Sequence, residues 1–302
     1  MNPLWIVFTV IAAAAQTARN AMQRDLTGGL GAAGAAHIRF LFGFPFALLF
    51  LLGVVVTTPN PLPAPTFHFW LWILLGSLTQ IGATLLMLMT MEERSFVISI
   101  AYLKTEPVIV ALLGLVFLGD RLTFLMATAI LIATIGVVLI SLRSGAPRAR
   151  GARWGALRPA LLGLGSGALF AFSAIGFRGA ILSLHMPGFL MAATYSLAVG
   201  LVLQAALLTV WLTLRKPQTL AAILHLWRPS MVAGFIGAIA SEFWFLAFAL
   251  ATAASVRTLG LVDVLFAQGV THLVFKQKTT RRELIGIAVL VTGALLLVWA
   301  QP

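Results

Sequence analysis

Three carboxylates lie inside long apolar runs: Glu106, Glu242 and Asp263. A charged side chain at the centre of a bilayer costs about 2.5–3.5 kcal/mol on insertion scales, so such groups face a cavity or a partner. They could bind a substrate ammonium, carry protons, or pair internally, for example with Arg257 or with His272, the only histidine deep in an apolar run. Ser77, Gln80 and Thr84 recur at i, i+3 and i+7, the spacing of one helix face. Ser241 and Trp244 recur at i, i+3 on another apolar run, with Glu242 between them. Small and polar faces of this kind either wall a wet cavity or pack helices closely, and Gln80 favours the cavity because Ala or Gly would satisfy packing alone. Tyr102 shares a face with Thr105 and Glu106, and a tyrosine far from an interface wants a hydrogen-bond partner. Gln16, Arg19, Asn20, His37 and Arg39 are expected at a cytoplasmic mouth, and Arg178 and Arg257 are expected to snorkel or pair near the opposite surface.

Other chemistry is missing. The chain has no cysteine, hence no disulfide, thiol nucleophile or thiolate metal site. HExxH, GxSxG and P-loop motifs are absent, and five scattered histidines do not make a converging ligand set. The expectation is a non-enzyme with no metal and no cofactor, driven by a gradient of substrate or ion.

The elements that must position these residues follow from composition. Of 302 residues, 61% are hydrophobic and only 9% charged, with a mean hydropathy of +1.04, which excludes a soluble protein. A net charge of +12 would suggest nucleic acid in a soluble chain; here the charges fall between apolar runs and read as topology signals, with no nucleic-acid partner. Runs at 4–23, 33–56, 68–90, 96–118, 123–142, 158–181, 187–213, 230–250, 253–275 and 284–300 give ten transmembrane helices of an all-α integral membrane protein. The first follows no basic leader, so it reads as a retained helix rather than a signal peptide. Arg and Lys gather in alternate loops, which by the positive-inside rule are cytoplasmic; both termini are then periplasmic in a bacterial inner membrane.

Sliding the chain on itself by 157 residues superimposes five runs on five and places Trp70 on Trp227, Gly43 on Gly200, Gly136 on Gly293 and Glu106 on Asp263. Each unit has an odd number of helices, so the second lies inverted relative to the first. Equivalent loops carry opposite charge character, as in Gly119-Asp120-Arg121 against Lys276-Gln277-Lys278. The expected organisation is a five-helix repeat at 1–145, a basic cytoplasmic linker at 146–157 and an inverted five-helix repeat at 158–302. Two inverted units around a midplane site are the architecture of alternating access.

The segment from Leu103 to Val138 resembles the fourth and fifth helices of an EamA-type repeat of the drug/metabolite transporter superfamily, through Pro107, Gly119, Asp120, Arg121 and Gly136. The carboxy-terminal unit departs from that pattern, with Val264 in place of the proline. Among its members the chain looks most like bacterial exporters of amino acids and aromatic compounds. The resemblance implies a secondary transporter exporting small metabolites, most of all apolar or aromatic amino acids. Cargo would be held by Gln80, Tyr102, Ser241 and Glu242, with Ser77 and Thr84 on the same wall and Trp244 as an apolar surface. Glu106, Asp263 and His272 are the candidates for proton coupling or gating. A multidrug or nucleotide-sugar carrier, or a membrane structural or sensory protein, are the rivals. Mid-depth charges are expected to be mainly acidic, which argues against phosphorylated cargo.

Overall fold

The structure, a computed structural model, describes residues 3–59, 61–93, 106–141, 153–266 and 281–300. Among the described residues it is all-helical, 89% helix with no strand. The amino-terminal part comprises α1 (Leu4–Leu41), α2 (Phe44–Thr57), α3 (Phe67–Glu93), α4 (Glu106–Phe117) and α5 (Phe124–Ser141). The carboxy-terminal part comprises α6 (Arg153–Ser183), α7 (Phe189–Arg215), α8 (Pro217–His225), α9 (Trp227–Leu250), α10 (Ala253–Leu259) and α11 (Arg281–Trp299). A 3-10 turn at Gly260–Val262 follows α10, and helix resumes at 263–266. Among the described residues, six helical stretches are long and apolar enough to cross a membrane, and α4 and α5 are shorter apolar helices. Their outward faces are apolar, as at Val56, Phe124 and Leu214.

Proline and glycine set the breaks. The stretch Leu4–Thr57 runs 54 residues, which as one rod would be about 80 Å long against a hydrocarbon core of about 30 Å. It folds back instead at Gly31, whose φ of 65° and ψ of 173° lie in a region open essentially to glycine alone. The reversal is direct: the Gln23 side-chain amide donates to the Ala35 carbonyl at 3.0 Å, although the two are 12 residues apart. We expect Gly31→Ala to cost about 1–3 kcal/mol of strain, seen as a lower unfolding midpoint of the purified protein. A second break falls at Phe42-Gly43, inside the run 33–56 read from sequence as one helix. Pro45 has no N–H and its ring would clash with the Leu41 carbonyl, so the helix stops and restarts at Phe44 with Pro45 in the first turn. α9 ends at Leu250, Ala251 is extended, and Thr252 caps α10 by accepting the Ser255 N–H at 3.2 Å. The short helix α8 lies in what reads from sequence as a loop; Pro217 opens it and Ile223 buries its inner side.

The dominant packings are α1 on α9, α3 on α6, and α5 on α11. Under the 157-residue shift the first two exchange and the third maps onto itself. The closest approaches follow the same relation. A Cβ on Gly136 would stand 2.4 Å from the Leu290 backbone nitrogen, and one on Gly293 would stand 2.4 Å from the Ala133 backbone nitrogen. Both helices therefore touch backbone to backbone, and alanine at either position must separate them. Overpacking of this kind typically costs about 1–3 kcal/mol. We expect Gly136→Ala and Gly293→Ala to lower the unfolding midpoint comparably. The double variant should be less destabilised than the two effects added, because helices already apart accept the second methyl; strict additivity would contradict the contact.

Candidate functional site

The corner at Gly31 has a chemical consequence. Gln23 opposite Ala35 and Arg19 opposite Arg39 are pairs centred on the same residue, 29, so folding α1 back on itself brings two guanidinium groups together. Arg19 lies 12 residues from the corner, about 18 Å along the helix. Both arginines are buried, 2% and 3% exposed. Their stems pack on Gly237 of α9, where an added Cβ would meet Arg19 Cδ at 3.2 Å and Arg39 Cγ at 3.6 Å. The small face of α9 therefore makes room for arginines from α1, a packing role that also serves the site.

Between α1, α3, α6, α9 and α10 lies a small cavity of about 20 Å³. Gln16 and Arg39 of α1 and Gln80 of α3 line one side; Phe170 and Phe177 of α6, Ser241, Trp244, Phe245 and Phe248 of α9, and Arg257 of α10 line the other. Ser241, Trp244, Phe245 and Phe248 fall at i, i+3, i+4 and i+7, one face of α9 turned inward. The aromatic wall is ordered: Trp244 stacks on Phe248 at 6.1 Å, and Phe177 meets Phe245 at 4.7 Å between ring centroids. Trp244 Nε1–H donates to Gln16 Oε1 at 3.0 Å, and Gln204 Nε2 donates to Gln80 Oε1 at 2.9 Å. With Oε1 held by Gln204, the amide nitrogen is the end of Gln80 left for the cavity.

The charges are distributed unequally. Arg257 Nε sits 2.9 Å from Glu106 Oε1, and its guanidinium lies over the Trp244 ring at 4.7 Å and the Phe248 ring at 5.5 Å. Arg39 reaches only neutral hydroxyls, Thr84 and Ser241, both at 3.5 Å, and its Nε has no hydrogen-bond acceptor among the described residues. Arg19 donates from Nη2 to Asn20 Oδ1 at 2.8 Å, while its Nε and Nη1 have no acceptor among the described residues. A second ion pair, Arg178 to Asp120 at 2.8 Å, ties α6 to the turn after α4, with Arg178 Nε donating to the Ala251 carbonyl at 2.9 Å. Gly119, with φ of 65°, sets that turn. The described residues include no cluster of three metal-ligating side chains.

Several expectations are corrected. Arg19, Asn20, His37 and Arg39, expected at a mouth, are buried inside the protein, and Gln16 lines the cavity; α1 runs beyond the expected end at 23, so its corner is farther along the chain. His37 is fully buried, with Nε2 3.0 Å from the Thr209 hydroxyl. Of the two expectations for Arg257, snorkelling or pairing, the structure shows pairing, with Glu106, on a side chain that also faces the cavity. Charge at the cavity is mainly basic, the reverse of the expectation. Glu242 does not line the cavity; it points to α7, where Thr194 donates to its Oε1 at 2.5 Å. Ser77 is buried toward α7, its carbonyl accepting from Gln204 Nε2 at 3.4 Å, and Thr84 stands behind Arg39 rather than on the lining. Asp263 is 8% exposed and its carbonyl accepts from the Thr17 hydroxyl at 3.3 Å. Gln80, Ser241 and Trp244 do line the cavity. Tyr102 and His272 lie outside the described residues. Gln16, Arg39 and Arg257 were not expected on the cavity wall, and the four phenylalanines were not singled out, although Phe170 with Phe177 at i, i+7 and the α9 face carry a periodic signal.

Fold and site define a multi-pass, all-helical membrane protein with a buried polar and aromatic cavity. Residues 3–142 match the model of the EamA-like transporter family, a segment spanning a little under half of the chain. No curated protein matches the sequence. Among solved structures, a chain described only as the crystal structure of a protein superposes with a TM-score of 0.69 at 15% identity, covering 96% of this chain and 95% of that one. The likeness is one of fold over nearly the full length.

Proposed function

We propose that the whole chain is an EamA-like secondary transporter of the drug/metabolite superfamily, built as ten spans in two inverted five-helix units, 1–145 and 158–302, joined by the basic linker 146–157. The reciprocal glycine contacts, the exchange of packing partners and the hairpin within α1 and α2 support that reading. Cargo occupies the cavity between the units and is exported by alternating access from a bacterial cytoplasm, across the inner membrane, with both termini periplasmic.

The cargo is a small metabolite bearing a carboxylate and an apolar or aromatic body, the class to which the apolar and aromatic amino acids belong. One observation carries this: Arg39 and five aromatic rings line a single cavity to which both parts of the chain contribute. A planar guanidinium fork matches a carboxylate bidentately, and the rings receive the body. Gln80, Ser241 and Trp244 complete the contacts. Cationic drugs are disfavoured by the arginines, and polyol bodies by the rings. Guanidinium nitrogens without acceptors among the described residues favour an anion-binding role over a purely structural one. Glu106 and Asp263 remain the candidates for proton coupling or gating; Glu106 would gate by holding Arg257. Protons are the coupling ion in that case, and pH dependence of transport is lost in Glu106→Gln or Asp263→Asn.

The test is counterflow in proteoliposomes containing the full chain, using labelled carboxylates with apolar or aromatic bodies, amino acids included. Release above protein-free leak is expected for part of the set. No release for any of them removes the proposed function.

A further inference from the structure

Resting on that reading, we propose that the cargo is an organic anion, an aromatic or apolar carboxylate that lacks an ammonium group, and that Arg19 and Arg39 together select it over the corresponding zwitterionic amino acid. Arg39 and Arg257 line the cavity, and Arg19, whose stem packs beside that of Arg39 on Gly237, stands next to them without lining it. Arg257 is neutralised by Glu106 at 2.9 Å. Arg19 and Arg39, each at least nine-tenths buried, present Nε and Nη1 of the first and Nε of the second without acceptors among the described residues. A buried guanidinium with only neutral partners among the described residues is costly, and an anion bound in the cavity would supply the acceptor that Arg39 lacks there.

The second observation concerns the other charge. An amino acid brings an ammonium beside its carboxylate, and the cavity lining contains no carboxylate among the described residues. Glu106 is held by Arg257, and Glu242 turns to Thr194. Aromatic faces can take an ammonium, but the face of Trp244 is already occupied by the Arg257 guanidinium at 4.7 Å. A carboxylate on Arg39 would place its α-ammonium in the field of like charges. Replacing that ammonium by a keto or hydroxyl group removes the repulsion and leaves a hydrogen-bond partner for Gln80 or Ser241. The rings favour an aryl or alkyl body over a sugar phosphate.

The experiment compares matched pairs at neutral pH in proteoliposomes carrying the full chain: phenylpyruvate and phenyllactate against L-phenylalanine, with phenethylamine and phenyl phosphate as further arms. Expected is at least a tenfold higher kcat/KM for the two deaminated acids than for phenylalanine, with no carrier-dependent flux of the amine. In Arg19→Gln the ratio of acid to amino acid should fall at least fivefold, whereas Arg19→Lys keeps most of it. Binding of phenylpyruvate to the detergent-solubilised variants, measured calorimetrically, separates misfolding from lost selection. Phenylalanine moved as well as or better than the acids overturns this inference while leaving the proposed function standing. Phenyl phosphate preferred to both acids overturns the carboxylate assignment, an Arg19→Gln ratio equal to the parent's overturns the role of Arg19, and flux of none of the probes overturns inference and function alike.

Discussion

Arg39→Gln is expected to abolish transport while leaving the protein folded. Truncating one member of a buried, hydrogen-bonded charge pair costs about 2–5 kcal/mol, and the pair here forms only when an anionic cargo lies against Arg39; that range is roughly 30- to several-thousand-fold in affinity. The stability effect has the opposite sign. Arg39 is 3% exposed, its guanidinium meets only two hydroxyls at 3.5 Å among the described residues and repels its neighbour Arg19, so removing its charge relieves a poorly satisfied burial. The unfolding midpoint should stay unchanged or rise while binding is lost, the pattern of a site whose strain serves function. Arg39→Lys keeps the charge without the planar fork and should recover only part of the affinity. Thermal unfolding and counterflow on the same preparations check both signs together. A variant that unfolds more readily and transports normally would show Arg39 to be a structural residue.

Glu106→Gln acts in the other direction. Its carboxylate and the Arg257 guanidinium are 14% and 10% exposed, so the pair is mostly desolvated. Removing one partner of such a pair costs about 3–5 kcal/mol, chiefly because the other charge is left buried and alone. The cost is raised here because Arg257 would become the third uncompensated guanidinium in one cluster. A large drop in the unfolding midpoint is expected for Glu106→Gln, and the double variant Glu106→Gln with Arg257→Gln should regain most of it. A double-mutant cycle on the solubilised protein gives the coupling directly, and a coupling near zero would mean that the contact contributes nothing. Arg257 is also a cavity wall through Trp244, so the restored double variant should remain poor in transport.

How much of this was legible in the residues differs between spans and site. Long apolar runs bounded by charge and proline were readable because a bilayer leaves few alternatives: each backbone polar group must be satisfied within the helix, and about 20 apolar residues are needed to cross. The proline rule also anticipates the stop before Phe44, once Pro45 is taken as a break inside an apolar run. Gly136 and Gly293, which a 157-residue shift superimposes, are the positions where α5 and α11 meet backbone to backbone. Gln80, Ser241 and Trp244 were recognisable as polar or amphipathic residues in the wrong solvent, and they line the cavity.

What the sequence by itself determined is therefore the solvent, the approximate spans and the residue types available to a mid-depth site. Which charges reach that site was decided by tertiary structure. Arg19 and Arg39 read as residues of a cytoplasmic mouth or headgroup contact; the corner at Gly31 folds α1 back so that both are buried side by side against Gly237. Glu242 read as a cavity residue because it adjoins Ser241, yet one residue along a helix is a rotation of about 100°, and it turned to Thr194. A span can be inferred from a local balance of apolar transfer energy. The sign of a buried site depends on where helices bend and how they are rotated, and that is settled only when distant segments pack.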